Sequence, residues 1–203
     1  MEIISDFLVI GSGIGGLSFA LKAAEAGAVA LITKRNVLES ATFYAQGGIA
    51  SVSSKEDTFD AHIKDTIDAG AGLCHRDIVE LVIRDAPARI NELIHLGVKF
   101  SRKTGADAGS ELDLGKEGGH SKRRIVHAQD LTGKAVEEAL VASVMAHRNI
   151  TVYENHIAID LITHSKFVDA AAQEAVWGAY ALDKNTGEIH TFLSKSTIVA
   201  TGG

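Results

Sequence analysis

Near the start of the chain, Phe7-Leu8-Val9-Ile10 is an uninterrupted apolar run, and Val29-Ala30-Leu31-Ile32 is a second. Short apolar runs bounded by glycine suit strands buried on both faces. Between them Leu17 to Ala26 reads as a helix closed by Gly27. The period then changes. Phe59, Ile63 and Ile67 recur at spacings of four and predict an amphipathic helix within Asp57–Gly70. Ile78, Leu81, Val82 and Ile83, then Ile90, Leu93 and Ile94, predict another from Arg76 to Leu96, stopped by Gly97. Pro87 lies inside it and should kink or divide it, because proline lacks the N–H and clashes with the preceding turn. Val136, Leu140, Val141 and Val144 mark a helix opened by Thr132 as N-cap. Asn149 to Ile162 reads as one strand, or two with a kink near Asn155. Two β-rich runs, Ala175–Leu182 and Ile189–Leu193, flank an Asn- and Gly-bearing turn as a hairpin. Ser196–Ala200 then returns as a parallel strand. The expected fold is α/β, a doubly wound parallel sheet with a small antiparallel β insertion.

The first apolar run leads directly into Gly11-Ser12-Gly13-Ile14-Gly15-Gly16. Gly11, Gly13 and Gly16 have G-x-G-x-x-G spacing between a strand and a helix, which makes them a dinucleotide fingerprint. The first glycine permits the tight turn, the second lets backbone approach a pyrophosphate, and the third lets helix and sheet pack closely. The helix N-terminus then offers N–H groups and a positive dipole end to the phosphates. The second strand of such units usually ends in an acid that holds a ribose hydroxyl. Thr33-Lys34-Arg35 stands there instead, and two cations could also mean a 2′-phosphate.

Composition narrows the possibilities. The 203 residues, 46% apolar, can build a sizeable core, and a net charge of −6 with both signs interspersed argues against nucleic acid or an anionic membrane as partner. No apolar run approaches the ~20 residues of a membrane helix, and no signal-peptide pattern opens the chain. A single cysteine, Cys74, excludes an internal disulfide and suits a reducing, cytoplasmic setting. His62, His75 and His95 lack metal-ligand spacing to one another. The chain stops at a strand and glycine turn, Ala200-Thr201-Gly202-Gly203, which reads as part of something longer.

Two loops carry the remaining chemistry. The first contains Ala41-Thr42-Phe43-Tyr44-Ala45-Gln46-Gly47-Gly48-Ile49-Ala50. The second runs from Lys99 to Asp130 and includes Glu117-Gly118-Gly119-His120-Ser121-Lys122-Arg123-Arg124-Ile125-Val126-His127-Ala128. A carboxylate between glycines, followed by three cations and two histidines, is dense for a solvated loop. It suits a dicarboxylate or polar amino acid, whose carboxylates need Arg, Lys or His⁺ partners.

With Gly11–Gly16 ahead and Ala200-Thr201-Gly202 behind, the first loop resembles the flavin-binding loop of the succinate dehydrogenase, fumarate reductase and L-aspartate oxidase flavoproteins. The resemblance spans essentially the whole chain. It implies a glutathione-reductase-like FAD-binding domain, and it accounts for Lys34, a position where a lysine is usual in the family. FAD-binding residues implied are Gly11, Ser12, Gly13, Ile14, Gly15, Gly16, Lys34, Ala41, Thr42, Phe43, Tyr44, Ala45, Gln46, Gly47, Gly48, Ala158, Thr201 and Gly202. Ala41 occupies the position where succinate dehydrogenases carry a covalently attaching His, so the FAD would be non-covalent.

The second loop resembles the aspartate oxidase branch more than the succinate branch, which has Gly-Gly-Gln-Ala-His-Arg at the matching place. Aspartate differs from succinate by an ammonium group, and Glu117 is its natural partner, with His120 the next substrate contact. Arg123 matches an arginine of both branches. The resemblance implies oxidation of L-aspartate to iminoaspartate, the first step of de novo NAD synthesis. Oxygen or fumarate would be the acceptor, and quinolinate synthase would use the product. It also implies a capping domain and a C-terminal helical domain downstream, so that the chain alone is inactive. A soluble fumarate reductase or succinate dehydrogenase-type flavoprotein, or a non-catalytic flavin-binding module, are the alternatives.

Overall fold

The computed structural model describes residues 1–104, 111–129, 131–167 and 175–202. Part of the Ser101–Asp113 loop, Asp130 and Gly203 lie outside the described residues. In chain order the elements are β1 (Glu2–Ile10), α1 (Ile14–Ala23), β2 (Val29–Ile32), β3 (Ile49–Ala50), α2 (Phe59–Ala69), α3 (Arg76–His95), β4 (Leu114–Gly115), β5 (Ile125–Val126), α4 (Thr132–Ala146), β6 (Ile150–Tyr153), β7 (His156–Thr163), β8 (Val176–Asp183) and β9 (Ile189–Val199). They form two compact units, Met1–Phe43 with Leu140–Gly203, and Tyr44–Ala139.

The first unit is the expected α/β layer. Its six-stranded sheet has the order β6-β2-β1-β9-β8-β7. β6, β2, β1 and β9 run parallel, and β8 and β7 extend the sheet antiparallel. Leu8, Ile10, Ala30, Ile32, Ala179, Ala181 and Phe192 form one buried cluster. Burying each large member stabilises by about 1.5–3 kcal/mol. Asn155, at φ 58°, turns the chain between β6 and β7, so the Asn149–Ile162 stretch resolves into two strands. The hairpin strand and the return strand, expected separately, are one strand of 11 residues. Ser194-Lys195-Ser196 reads as a break by polarity, but Ser194 and Ser196 keep their ladder positions opposite Ser5 and Phe7 of β1. A backbone ladder does not need apolar side chains.

α1 starts three residues before the apolar period does, at Ile14, and takes two of the glycines into its first turn. It ends at Ala23, and Gly27 sits against the Asp6 carboxylate, which accepts from the Ala28 N–H at 2.8 Å.

In the second unit α2 and α3 accompany a small antiparallel sheet, β3-β5-β4. Thr58 caps α2, accepting from the Ala61 N–H at 3.2 Å. α3 runs undivided through Pro87. The proline forfeits one backbone hydrogen bond, but Ile83 before it and Ile90 and Leu93 after it are buried and anchor both halves. Gly97, at φ 102°, ends the helix in the left-handed conformation usual for such a cap. Among the described residues no helix is long and apolar enough to cross a membrane.

Candidate functional site

The glycine turn of the first unit is shaped by what its side chains would hit. A Cβ on Gly11, at φ 114°, would lie 2.3 Å from the Ala200 carbonyl oxygen. One on Gly16 would lie 2.0 Å from the Gly11 carbonyl oxygen. Backbone therefore meets backbone at the carboxyl end of β1, where open α/β sheets bind their ligands. Gly13 is the extended N-cap of α1 and brings no side chain of its own to cap it, and the first turn holds no acid. That leaves N–H groups and the positive dipole end for a phosphate.

The turn is braced from both sides. Buried Ser12 donates through Oγ to Thr33 Oγ1 at 3.0 Å, tying it to the end of β2. Thr42 Oγ1 accepts from the Ile14 N–H at 3.0 Å. Thr201 follows β9 beside Gly11, and Gly202 is at φ 77°. Lys34 is exposed just past β2, its carbonyl accepting from Lys184 Nζ at 3.2 Å. Ala41 is exposed and Phe43 half-buried. Ala158 lies on β7 opposite Ala181 and packs on the sheet core. A cavity of about 640 Å³ lined by Ile4, Asp6, Trp177 and Lys195, among others, lies instead toward the amino end of β1. It is the wrong end of a parallel sheet for a dinucleotide.

The second unit holds Tyr44, Ala45, Gln46, Gly47 and Gly48 together with Glu117 and His120. The loop is tied down by its own backbone. The Gly47 carbonyl accepts from Thr132 Oγ1 at 2.6 Å, and the Ala45 carbonyl from the Gly133 N–H at 3.2 Å. Thr132, expected as N-cap, is instead the first residue of α4, and its hydroxyl accepts from the Ala128 N–H at 3.0 Å and fastens the loop rather than capping the helix. Glu117 lies over Gly47, its Oε1 3.2 Å from where a Cβ would be. It is exposed, and no side chain among the described residues donates to its carboxylate.

Beside it is a charge network that local sequence reading missed. Arg124 is fully buried and binds Asp57 bidentately, Nε to Oδ2 and Nη2 to Oδ1, both at 2.8 Å. Its Nη1 donates to Asp65 Oδ2 at 2.7 Å. Asp65 also accepts from the Ser121 N–H at 2.8 Å and Oγ at 2.7 Å. Burial pushes the Asp65 carboxyl up, but the bonds from Ser121 and Arg124 outweigh it and hold it down at about 2. The buried arginine is Arg124; Arg123 is exposed and donates to the Leu114 carbonyl. Partners 59 and 67 residues apart leave no periodic trace. The only local signal was its place as the third cation of the Lys122-Arg123-Arg124 run.

Arg124 Nη1 also reaches His120 Nδ1 at 3.4 Å. An arginine can only donate, so Nδ1 accepts and the His120 hydrogen sits on Nε2. His62 packs edge-on against His120 with ring centroids 5.5 Å apart. Burial, then the charge of Arg124, pushes the His62 pKa down. His62 therefore stays neutral behind His120.

A helix N-terminus with a glycine N-cap, beside a backbone-tight glycine turn at the carboxyl edge of a parallel sheet, defines a dinucleotide-binding domain. Residues 6–203 match the family of FAD binding domains, and the chain belongs to that family. FAD is thus the cofactor, and the Gly11–Gly16 turn fits its pyrophosphate. Over 202 residues the chain is 45% identical to the L-aspartate oxidase of Yersinia pestis, covering 100% of this chain and 38% of that protein. Over 198 residues it is 46% identical to the chloroplastic L-aspartate oxidase 2-b of Nicotiana tabacum, covering 98% of this chain and 29% of that one. The chain therefore spans well under half the length of these relatives. Among solved structures, a variant of E. coli quinol fumarate reductase superposes with a TM-score of 0.89 at 27% identity, over 100% of this chain and 33% of that one. The Mycobacterium smegmatis Sdh1 complex gives 0.87 at 26% identity, over 100% and 35%.

Proposed function

We propose that the protein to which this chain belongs oxidises L-aspartate to iminoaspartate. The observation that carries this reading is the exposed Glu117 carboxylate over Gly47 of the flavin-loop stretch, on a chain 45% identical to an L-aspartate oxidase. Glu117 holds the substrate ammonium, and His120 presents its Nε2–H to a substrate carboxylate. Arg124 is held by two aspartates. It therefore fixes the His120 tautomer rather than binding substrate itself. The Gly11–Gly16 turn with Thr42, Thr201 and Gly202 holds the pyrophosphate end of FAD, and Tyr44 to Gly48 supply contacts to the flavin. Ala41 offers no nucleophile, so the cofactor is held non-covalently. The FAD held there would supply an acceptor for the α-carbon hydride and a carrier of both electrons to oxygen or fumarate, the substrate ammonium giving up a proton as the imine forms.

The capping and helical domains implied by the resemblance complete the enzyme. The working compartment is the cytoplasm, and quinolinate synthase takes the product.

The superpositions on fumarate reductase and the Sdh1 complex favour a second reading, a succinate or fumarate enzyme. Anaerobic flavin reduction of the full-length protein separates the two. Bleaching by L-aspartate but not succinate is expected, and bleaching by succinate alone would overturn the proposal. Glu117→Gln should weaken the aspartate response about 10- to 100-fold, the worth of a charged hydrogen bond.

A further inference from the structure

Three buried side chains converge where β7 begins, β8 ends and β9 begins. They are His156, Asp183 and His190, with exposures of 8%, 8% and 6%. His156 stands opposite Asp183 in the β7/β8 register, and the Asp183 N–H donates to the Glu188 carbonyl to close the following turn. One ligand atom from each side chain lies within 4.8 Å of the others. The sequence shows no motif, since His156 and His190 are 34 residues apart.

The two imidazoles face each other with nitrogens that can serve as ligands. His156 Nε2 and His190 Nδ1 are 3.1 Å apart. Two nitrogens each about 2.05 Å from one cation, at that separation, subtend about 100° at it, near the tetrahedral angle. The outer nitrogen of His156 fixes its tautomer. His156 Nδ1 lies 2.7 Å from the Glu154 carbonyl, which can only accept, so Nδ1 carries the hydrogen and Nε2 turns a lone pair inward. The Glu188 carboxylate lies 3.7 Å from His190 Nε2, too far for a hydrogen bond, so with no cation present His190 Nδ1 carries its hydrogen and donates to His156 Nε2 at 3.1 Å. A cation bound between the two nitrogens would take the place of that hydrogen, with the His190 hydrogen moving to Nε2 on the Glu188 side. The third group is oriented as well. Asp183 Oδ1 accepts from the Asn185 N–H at 2.9 Å, and Oδ2 from Thr186 Oγ1 at 3.0 Å. Outer partners of this kind are what hold ligands in metal centres. Tyr153 and Phe192 pack edge-on against the His156 ring, at centroid distances of 5.7 and 5.9 Å, and wall the cluster with apolar surface.

We propose that His156 Nε2, His190 Nδ1 and the Asp183 carboxylate form a site for one borderline divalent transition cation of the Zn²⁺ type. Two imidazoles and one carboxylate suit such an ion rather than Ca²⁺ or Mg²⁺, which take oxygen ligands. The cation pins the ends of three strands together, and a fourth position is left for water. The site takes no part in the flavin chemistry, so it stands or falls separately from the proposed reaction.

The test uses the full-length protein, stripped with a chelator, dialysed and titrated with Zn²⁺ and then with Co²⁺. One Zn²⁺ per chain and a raised thermal midpoint are expected, with Co²⁺ visible bands of nitrogen and oxygen ligation. His190→Gln and Asp183→Asn should each weaken Zn²⁺ at least about tenfold, while His95→Gln, on the exposed end of α3, changes nothing. Should His190→Gln fail to fold, Asp183→Asn and the imidazole ¹⁵N shifts of the wild type on Zn²⁺ addition decide. Absence of stoichiometric Zn²⁺, unmoved imidazole shifts, or binding that survives both substitutions would overturn the proposal and leave the rings as a proton-sharing pair.

Discussion

The glycine turn of the first unit and the charged loop of the second reach functional form by opposite means. At Gly11 and Gly16 the site exists because side chains are missing, and backbone closes to where a Cβ cannot fit. At Arg124 it exists because a full charge is buried and then neutralised by Asp57 and Asp65. The first device tolerates no added atom. The second tolerates no removed charge. Loss of packing space and loss of charge balance can therefore be tested separately.

The largest effect is expected from Arg124→Met. Removing one member of a buried ion pair strands the other, so urea unfolding should report a loss of about 3–5 kcal/mol. A change below ~1 kcal/mol would show that Asp57 and Asp65 find water or another donor. Gly16→Ala comes next. Its methyl meets the Gly11 carbonyl at 2.0 Å, and backbone there must move. A loss of roughly 1–3 kcal/mol from overpacking is expected, together with loss of bound FAD in the absorption spectrum. Unchanged FAD content would mean that the turn does not hold the pyrophosphate.

Acid should act on the second unit. The Asp65 carboxyl is lower when folded, so its contribution is complete above the ordinary carboxylate value near 3.8 and is lost as the pH falls toward about 2. His62, also lowered on folding, adds a loss that begins as the pH drops below its ordinary 6.5. Stability measured from pH 7 downward should fall in two stages, and His62→Gln should erase the first. The smallest effect is expected at Gly15, where nothing lies within 4 Å of a Cβ. Gly15→Ala should leave stability unchanged or raise it by up to ~1 kcal/mol, since alanine suits the first turn of α1 better. A loss as large as that of Gly16→Ala would remove the steric distinction between the two glycines.

The glycine turn was legible because its physics is local. A strand, three spaced glycines and a helix lie within one short stretch, and the tight contacts follow from their order. The helices were legible for the same reason, including the stop at Gly97, which the structure places at φ 102°. Arg124 was not. In sequence it is one of three adjacent cations, and only folding shows that Arg123 faces solvent while Arg124 faces two aspartates. The undivided α3 and the single long β9 were likewise hidden. Pro87 and Ser194-Lys195-Ser196 look like breaks until buried isoleucines on one element and a ladder to β1 on the other hold them in line.

By itself the sequence determined the elements, the dinucleotide turn and the resemblance that pointed to FAD, because each rests on neighbours in the chain. The tertiary structure alone decided which charges are buried together. It alone seated Glu117 over Gly47 and brought His156, Asp183 and His190 to one point. Those placements join residues dozens of positions apart. They depend on strand register and helix packing, which no local pattern encodes.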